Sequence, residues 1–158
     1  MKYVVWLVIF LIVGGGTFWI LNRPKVEKLG QPEISGWIAW WKEAPGYDVA
    51  ESESGRIKTV SPVWWLVNED LKLENAGEAS REAVVARMRQ AGIQIYPTIG
   101  SELTGSRLSP LFNSQEKTNQ LIADLMAAID KLPIDGIDVD LEGINKDDRG
   151  AYVSLLKC

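Results

Sequence analysis

The chain has 158 residues, a length that suits one domain. Its net charge is −4 at pH 7, and its basic residues form no stripe beyond the N-terminal segment, so nucleic acid is not an expected partner. The sequence contains no histidine and one cysteine, Cys158, which excludes His-ligated zinc, His-based catalytic triads and an intrachain disulfide.

The N-terminal segment predicts a membrane anchor. Tyr3 to Leu21 is a run of about 19 residues without a charge, long enough to cross a bilayer as a helix. Trp6 and Trp19 lie near its two ends, as interfacial aromatic residues do. A cleavable signal peptide is the alternative, with the small residues 14–16 near the cut. The apolar character that resumes at residues 18–21 favours the uncleaved anchor.

We divide the chain into an anchor or uncleaved signal over residues 1–22, a linker over residues 23–33 and a domain over residues 34–158. Basic residues after the apolar run nominally favour a cytoplasmic domain. The function indicated by the C-terminal motif favours the opposite side of the membrane. We therefore expect a membrane-anchored protein whose domain is extracytoplasmic, or a secreted one if the anchor is cleaved.

Strand-like and helix-like segments alternate after the linker. The clearest helix is capped by Ser114, carries an apolar stripe with helical period and ends before Pro133. A second helix is capped by Ser80 and stopped by Gly92. The predicted order is strand 36–41, helix 47–54, strand 57–67, helix 81–91, strand 93–99, helix 115–132, an acidic strand within 135–143, and a helix from Asp147 or Asp148.

This order, βαβαβαβα, is the signature of a parallel sheet with right-handed crossovers. A doubly wound sheet normally offers a Gly-rich phosphate loop after its first strand, and none stands here. We predict an α/β fold of the parallel (β/α)8 TIM-barrel type, with about its first four βα units present, preceded by an N-terminal transmembrane helix. The chain is expected to be truncated inside its fourth helix.

The acidic strand is the most informative segment. Because successive side chains in a strand point to opposite faces, aliphatic residues share one face and carboxylates share the other. Three carboxylates in one row, roughly 6.5–7 Å apart, repel one another, so the row must share protons or face a wet, working cavity. The aliphatic residues are Ile137, Val139 and Leu141, and the carboxylates are Asp138, Asp140 and Glu142.

Three other interpretations compete with a catalytic row. A solvated edge strand with an acidic outer face is one, and a magnesium site is another. A calcium loop of the EF-hand type fails at its twelfth position, where Arg149 stands in place of the required Glu. The context favours catalysis, because the acids lie at the C-terminal end of a strand in a βα unit, where barrel enzymes place their active sites.

The acidic strand resembles the D-G-x-D-x-D-x-E signature of family-18 glycoside hydrolases, the chitinases and their relatives, and matches it at every defined position. Residues 36–38 (Gly-Trp-Ile) resemble the family's first strand. Residues 61–65 (Ser-Pro-Val-Trp-Trp) resemble the second strand of the branch that includes bacterial spore-cortex-lytic glucosaminidases. Residues 96–100 (Tyr-Pro-Thr-Ile-Gly) resemble the third, although Ser101 replaces its second glycine. The resemblance covers residues 34–158.

The resemblance implies a role for each acid. Glu142 would protonate the glycosidic oxygen and later activate water. Asp140 would orient the substrate's N-acetyl group, whose carbonyl oxygen attacks the anomeric carbon, and Asp138 would hold or share a proton with Asp140. The substrate supplies the nucleophile in this family. We expect no cofactor and no metal.

Five tryptophans fall in or beside the first two predicted strands, and most are expected in the core, since large aromatic side chains bury well. Sugar rings stack on exposed indole faces. We predict that Trp41, Trp65 and Tyr96 line a sugar cleft.

The leading hypothesis is a membrane-anchored, retaining glycoside hydrolase that cleaves β-1,4-linked N-acetylglucosamine polymers, either chitin or peptidoglycan. Its partners would be the polysaccharide and the membrane. Family members complete the cleft with a Tyr and a Trp on later strands, so the prediction of an enzyme applies to the parent protein. The alternatives are a non-catalytic sugar-binding protein on the same fold and an anchored fragment whose acids serve structure or bind a cation.

Overall fold

A computed structural model of the protein describes residues 33–77 and 79–157. The predicted anchor over residues 1–22 and nearly all of the predicted linker lie outside the described residues. Among the residues that are described, no helix is both long enough and apolar enough to span a membrane.

Strands and helices alternate along the described chain. Three short 3-10 turns, at Trp40–Lys42, Gly105–Arg107 and Lys146–Asp148, accompany them. In chain order the elements are β1 (Ile34–Ile38), α1 (Glu43–Ser52), β2 (Ile57–Val67), β3 (Leu73–Asn75), α2 (Arg81–Gln90), β4 (Gln94–Ile95), β5 (Thr98–Ser101), α3 (Ser109–Phe112), α4 (Gln115–Ile129), β6 (Asp138–Asp140) and α5 (Arg149–Leu155).

The sheet is built on parallel pairing in the order β1-β2-β5-β6. The first half of β2 pairs with β1 on one side and with β4 on the other, and its second half pairs with β5. β4 and β5 therefore share one position in the sheet and are separated by Tyr96 and Pro97. The predicted α/β class with a parallel sheet is confirmed, and the arrangement is that of a partial, TIM-barrel-like fold.

Both predicted helix caps are present. The Ser80 hydroxyl accepts a hydrogen bond from the backbone N–H of Ala83 at 3.4 Å, and Ser114 accepts one from Lys117 at 3.3 Å. Each side chain satisfies one of the backbone donors that a helix N-terminus leaves unpaired.

Three element predictions were wrong in detail. The first strand ends at Ile38, so Trp40 and Trp41 lie in a 3-10 turn rather than in a strand. The first helix begins at Glu43, four residues before the predicted start. β3, which pairs antiparallel with the end of β2, was not predicted. A three-residue strand with two polar side chains carries too little pattern to be recognised.

The core between β2 and the helices is organised around two adjacent indoles. The Trp64 Nε1–H donates to the Tyr47 hydroxyl at 3.0 Å. The Arg81 guanidinium lies over the rings of Trp64 and Trp65, 5.4 and 4.9 Å from their centroids, and donates to the carbonyl of Trp64 at 2.8 Å. Arg81 is half-buried and joins the start of α2 to β2.

A register irregularity in β2 explains where Trp65 lies. Val63 pairs with Thr98, and Trp65 pairs with the next residue, Ile99. Between these two pairs β2 contains one residue more than β5 does. A β-bulge of this kind changes which face the following side chains take. Trp65 is 0% exposed, so its indole has no face open to solvent, contrary to the prediction that it lines a sugar cleft.

Gly136, within the acidic motif, allows a close approach that a methyl group would block. A Cβ at this position would lie 2.8 Å from two ring carbons of Tyr96. We expect Gly136→Ala to lower the free energy of unfolding by about 1–3 kcal/mol, because the Tyr96 ring must shift. Urea-induced unfolding measures this change.

Gly55→Ala is the matched control, since a Cβ there would meet nothing within 4 Å. It should leave stability unchanged or slightly raised through lower entropy of the unfolded chain. Equal destabilisation by the two substitutions would contradict the close contact with Tyr96.

Tyr47 makes stability sensitive to alkaline pH. Burial raises the pKa of its hydroxyl from 10.0 to about 12, although the hydrogen bond from Trp64 acts in the opposite direction. The unfolded phenol ionises first, so the contribution of Tyr47 is complete below its unfolded pKa and is lost as pH rises through the folded pKa. We expect unfolding free energy, followed by denaturant titration, to fall between about pH 10 and 12.

The Tyr47→Phe variant should lack this component of the pH dependence, because it cannot ionise. Parallel alkaline slopes for the two proteins would contradict the assignment to Tyr47.

Candidate active site

The acid row (Asp138, Asp140 and Glu142) spans β6 and continues into the loop after it. Asp138 pairs with Thr98 of β5, and Asp140 pairs with Gly100. Both aspartates are half-buried, whereas Glu142 follows the end of the strand and is exposed. Asp138 and Asp140 thus share one face of β6, and Glu142 lies two residues after Asp140, in the loop.

The opposite face of this segment is apolar, as the alternation predicts. Leu141 is 6% exposed and belongs to the hydrophobic core, against which Val139 is packed. Both side chains line a groove together with Leu121 and Leu125 of α4 and Leu155 of α5. The aliphatic face therefore holds the helices, and the acidic face is left for the cleft.

The acids open into a cleft of about 270 Å³ on the sheet face opposite to that groove. Asp140 and Glu142 line it on one side, and tryptophans line it on the other. The remaining lining residues come mainly from the ends of β2 and β5: Val63, Leu66, Thr98, Gly100, Ser101 and Glu102. The cleft thus joins carboxylates to aromatic rings at the C-terminal ends of parallel strands.

The tryptophan cluster (Trp37, Trp40 and Trp41) forms the aromatic side of the cleft. The rings are 53%, 38% and 61% exposed, respectively. Trp41 meets Trp37 and Trp40 edge to face, with centroid distances of 6.5 and 5.4 Å. Contiguous exposed apolar patches of this kind mark binding surfaces. Trp41 was predicted here, whereas Trp37 and Trp40 were expected to be core residues.

Thr98 holds the first acid of the row. Its hydroxyl donates to Oδ2 of Asp138 at 2.8 Å and lies 3.4 Å from the carbonyl of Ser61, so the carboxylate is the closer acceptor. Thr98 is fully buried and Asp138 is half-buried, so the bond lies at the base of the cleft. Among the described residues, the carboxylates of Asp140 and Glu142 accept no hydrogen bond and form no ion pair.

The negative charges of Asp138 and Asp140 affect the ionisation of Tyr152 in α5. Burial raises the pKa of the Tyr152 hydroxyl, and the negative charges of Asp140 and Asp138 raise it further. The ring packs edge to face on Phe112, with centroids 5.7 Å apart.

The loop that carries Glu142 is braced against the loop after β5. Gly143 has φ +63°, and its carbonyl accepts from the N–H of Gly105 at 2.8 Å. The buried carboxylate of Asp148 accepts from the Ser109 hydroxyl and from the Asn113 amide. Sequence analysis missed these contacts and the bond from Thr98, because they join residues that are distant in the sequence.

Tyr96 and Asp135 come directly before β5 and β6, on the N-terminal side of the acid row. The Asp135 carboxylate accepts from the N–H of Ile95 at 2.9 Å, and the Asp135 N–H donates to the Ile95 carbonyl at 3.0 Å. Asp135 therefore joins β4 to the entry of β6, which is a structural role. Tyr96 packs over Gly136 and is not among the residues that line the cleft, contrary to prediction.

The acid row does not form a multidentate cation site in the described part of the chain, where no group of three or more His, Cys, Asp or Glu is placed to hold a metal ion.

No model of a known protein family matches the sequence, and no curated protein matches it significantly. Solved structures share its fold. A chitinase from Rhizomucor miehei superposes with a TM-score of 0.62 at 16% identity over 80% of this chain and 42% of that one. The spore cortex-lytic enzyme SleL of Bacillus megaterium gives 0.65 at 12% identity over 78% and 30%. A family-18 N-acetylglucosaminidase from Paenibacillus barengoltzii gives 0.61 at 16% over 80% and 39%.

This chain spans less than half the length of each of these structures. At such identities the similarity establishes the fold. The chain has a chitinase-like fold, that of family-18 glycoside hydrolases, over part of their length.

The hydrogen bond from Thr98 to Asp138 is expected to contribute to stability. Thr98→Val keeps the side-chain shape but removes the hydroxyl, leaving a half-buried carboxylate without its donor. We expect a loss of about 1–3 kcal/mol in unfolding free energy, measured by urea denaturation. Thr98→Ser, which retains the hydroxyl, should recover part of that loss.

Thr59→Val is the matched control, since Thr59 is half-buried in β2 and its hydroxyl makes no hydrogen bond to the described residues. Similar losses from the Thr59 and Thr98 variants would show that the Asp138 bond contributes nothing specific.

Proposed function

We propose that this chain is part of a family-18 glycoside hydrolase that cleaves polymers of β-1,4-linked N-acetylglucosamine, either chitin or the glycan strands of peptidoglycan. One observation carries the proposal: Asp140 and Glu142 face the exposed tryptophan cluster across one cleft, at the C-terminal ends of parallel strands. The fold shared with chitinases and a cortex-lytic enzyme supports it.

In the proposed reaction, Glu142 donates a proton to the glycosidic oxygen as the bond to the anomeric carbon breaks. The carbonyl oxygen of the substrate's own N-acetyl group forms the new bond to that carbon. Glu142 then removes a proton from water, which attacks the same carbon and releases the acetamido oxygen, so that the configuration is retained. Glu142 suits this role because it is exposed within the cleft and accepts no hydrogen bond from the described residues.

The two aspartates serve the N-acetyl group in this proposal. Asp140 projects into the cleft, where it can accept a hydrogen bond from the acetamido N–H and orient the carbonyl for attack. Asp138 is held by Thr98 and lies one alternate position further into the strand, where it can share a proton with Asp140. The tryptophan cluster offers flat apolar faces to the sugar rings.

For the parent protein we propose a closed (β/α)8 barrel, to which the described strands contribute one part. We further propose that residues 1–22 anchor it in a membrane and that the domain works outside that membrane, where both candidate polymers are found. Loss of membrane association on deletion of residues 1–22 would support the anchor, and unchanged sedimentation with membranes would contradict it.

Glu142→Gln tests the catalytic proposal. The amide cannot donate the acidic proton, so hydrolysis of N-acetylglucosamine oligomers by the full-length gene product should fall by about 100-fold or more. Glu116→Gln, an equivalent change at an exposed position on α4, should leave hydrolysis unchanged. Product release is measured by chromatography with both chitin-derived and peptidoglycan-derived substrates.

A non-catalytic sugar-binding protein on the same fold is the second candidate. The exposure of the tryptophan cluster favours it, because aromatic stacking alone binds sugars. Binding of oligomers without hydrolysis, unchanged by Glu142→Gln, would select this candidate over the enzyme. If the protein neither binds nor hydrolyses the oligomers, the enzyme and the sugar-binding protein are both ruled out.

A further inference from the structure

Glu43 is the buried residue of the segment that carries Trp40 and Trp41. Of residues 39–46, which lead from the end of β1 into the first turn of α1, Glu43 alone is buried, with 9% of its surface exposed. The two indoles on this segment remain exposed. The buried side chain that attaches the segment to the domain is therefore a carboxylate rather than an apolar group.

Hydrogen bonds hold the Glu43 carboxylate to two other parts of the domain. The backbone N–H of Ala79, in the loop before α2, donates to its Oε2 at 3.2 Å. The Tyr47 hydroxyl, one turn along α1, makes a hydrogen bond to the same carboxylate, and this hydroxyl also accepts from Nε1 of Trp64. Glu43 is thus joined to the loop before α2 and, through Tyr47, to the core at β2.

The surroundings of the Glu43 carboxylate compensate its charge and restrict its position. Gly77 has φ +79°, and a Cβ at this position would collide with the carboxylate, so the loop backbone lies directly against it. Burial lowers the pKa of the half-buried Arg81 guanidinium, and the negative charge of Glu43 acts in the opposite direction. A buried carboxylate is costly unless hydrogen bonds and an opposite charge compensate it, and Glu43 has both.

The turn that bears the indoles lies between two buried residues. Ile38 is buried at the end of β1, and Glu43 is buried at the start of α1, directly after the Trp40–Lys42 turn. Because the rings on this turn are partly exposed, the backbone of the turn decides where they lie. The turn lines the cleft opposite Asp140 and Glu142. Release of Glu43 would therefore let the aromatic side of the cleft move relative to the acids.

We propose that Glu43 is a positioning residue for the tryptophan cluster. Its buried carboxylate holds the turn on which Trp40 and Trp41 reach the cleft, and it thereby raises the affinity of the cleft for the glycan. The effect on glycan affinity rests on the proposed function, whereas the effect on the arrangement of the rings does not.

The test uses the full chain with Glu142→Gln, which prevents hydrolysis, as the reference chain. Glu43→Ala removes the buried carboxylate, whereas Glu43→Gln retains a carbonyl that can accept from the N–H of Ala79. Glu51→Ala, which removes a surface carboxylate from the same helix, is the matched control. Isothermal titration calorimetry measures binding of the tetrasaccharide of N-acetylglucosamine, and thermal unfolding verifies that each variant is folded.

Glu43→Ala should weaken tetrasaccharide binding by about threefold to tenfold, because a released indole must be ordered again when the ligand binds. Glu43→Gln should recover part of this loss, and Glu51→Ala should bind as the reference chain does. In a chain that also carries Trp41→Ala, the loss caused by Glu43→Ala should fall below about twofold, because the most exposed ring is no longer there to be positioned. If Glu43→Ala does not fold, Glu43→Gln should show a smaller loss with the same dependence on Trp41.

A second readout needs no ligand. Trp41 meets two neighbouring indoles edge to face, and coupled indoles give a circular-dichroism band that is lost when one ring is removed. The difference between the spectra of the reference chain and its Trp41→Ala variant identifies this band. Glu43→Ala should reproduce a large part of that difference, Glu43→Gln a smaller part, and Glu51→Ala none of it.

An unchanged band in the folded Glu43 variants would overturn the proposal, whatever the affinity. A loss of affinity that is equal with and without Trp41 would also overturn it, because the carboxylate would then act by another route. Unchanged affinity together with an altered band would overturn the effect on the glycan. If the reference chain binds no oligosaccharide, the proposed function fails, and the circular-dichroism comparison alone decides whether Glu43 holds the turn.

Discussion

The register between β5 and β6 is the constraint on which the candidate site depends. Because side chains alternate along a strand, a slip of one residue would turn the acids toward the helices and the aliphatic residues toward the cleft. Thr98 opposite Asp138 contributes a hydrogen bond in the observed register. Gly100 opposite Asp140 leaves room for the neighbouring strand, since a Cβ there would lie 3.3 Å from the Leu66 side chain. The observed register therefore holds Asp138 through Thr98 and lets β2 pack closely against β5 at Gly100.

The tryptophans divide into two groups with opposite roles, one buried within β2 and the other exposed in and after β1. Trp64 and Trp65 are buried beneath Arg81, where cation–π contacts and a carbonyl hydrogen bond join β2 to α2. The tryptophan cluster lies in β1 and in the 3-10 turn after it, and it remains exposed beside the acids. Trp65 retains a buried Nε1–H without a hydrogen-bond partner among the described residues, which is an energetic cost of placing a second indole in the core. Tertiary packing decides which tryptophans are buried and which are exposed, because the residue type is the same in both groups.

The acidic end of the sheet is held together by contacts between loops rather than by the strand itself. β6 contains only three residues, and Glu142 lies beyond them. Gly143 accepts a backbone hydrogen bond from Gly105, and the buried Asp148 is bound by Ser109 and Asn113. These contacts connect the loop after β6 to the segment after β5. A carboxylate on a free loop would have no defined orientation, whereas these bonds restrict where Glu142 can point.

Sequence alone determined the α/β class, the helix caps at Ser80 and Ser114, and the division of the acidic segment into an aliphatic and an acidic face, because each follows from local patterns of period or capping. The tertiary structure decided which aromatic residues meet the acids. Trp65 was misplaced because a bulge depends on pairing with β5, and Tyr96 because its ring packs over Gly136 and not beside Asp140 and Glu142. Trp37 lies in the first strand as predicted, and its exposure was missed because it depends on which residues pack against that strand. Trp40 was missed because the strand ends at Ile38 and Trp40 lies in a 3-10 turn. The bond from Thr98 to Asp138 and the β2–β3 hairpin were likewise beyond sequence analysis, since each depends on contacts between residues that are not neighbours in the chain.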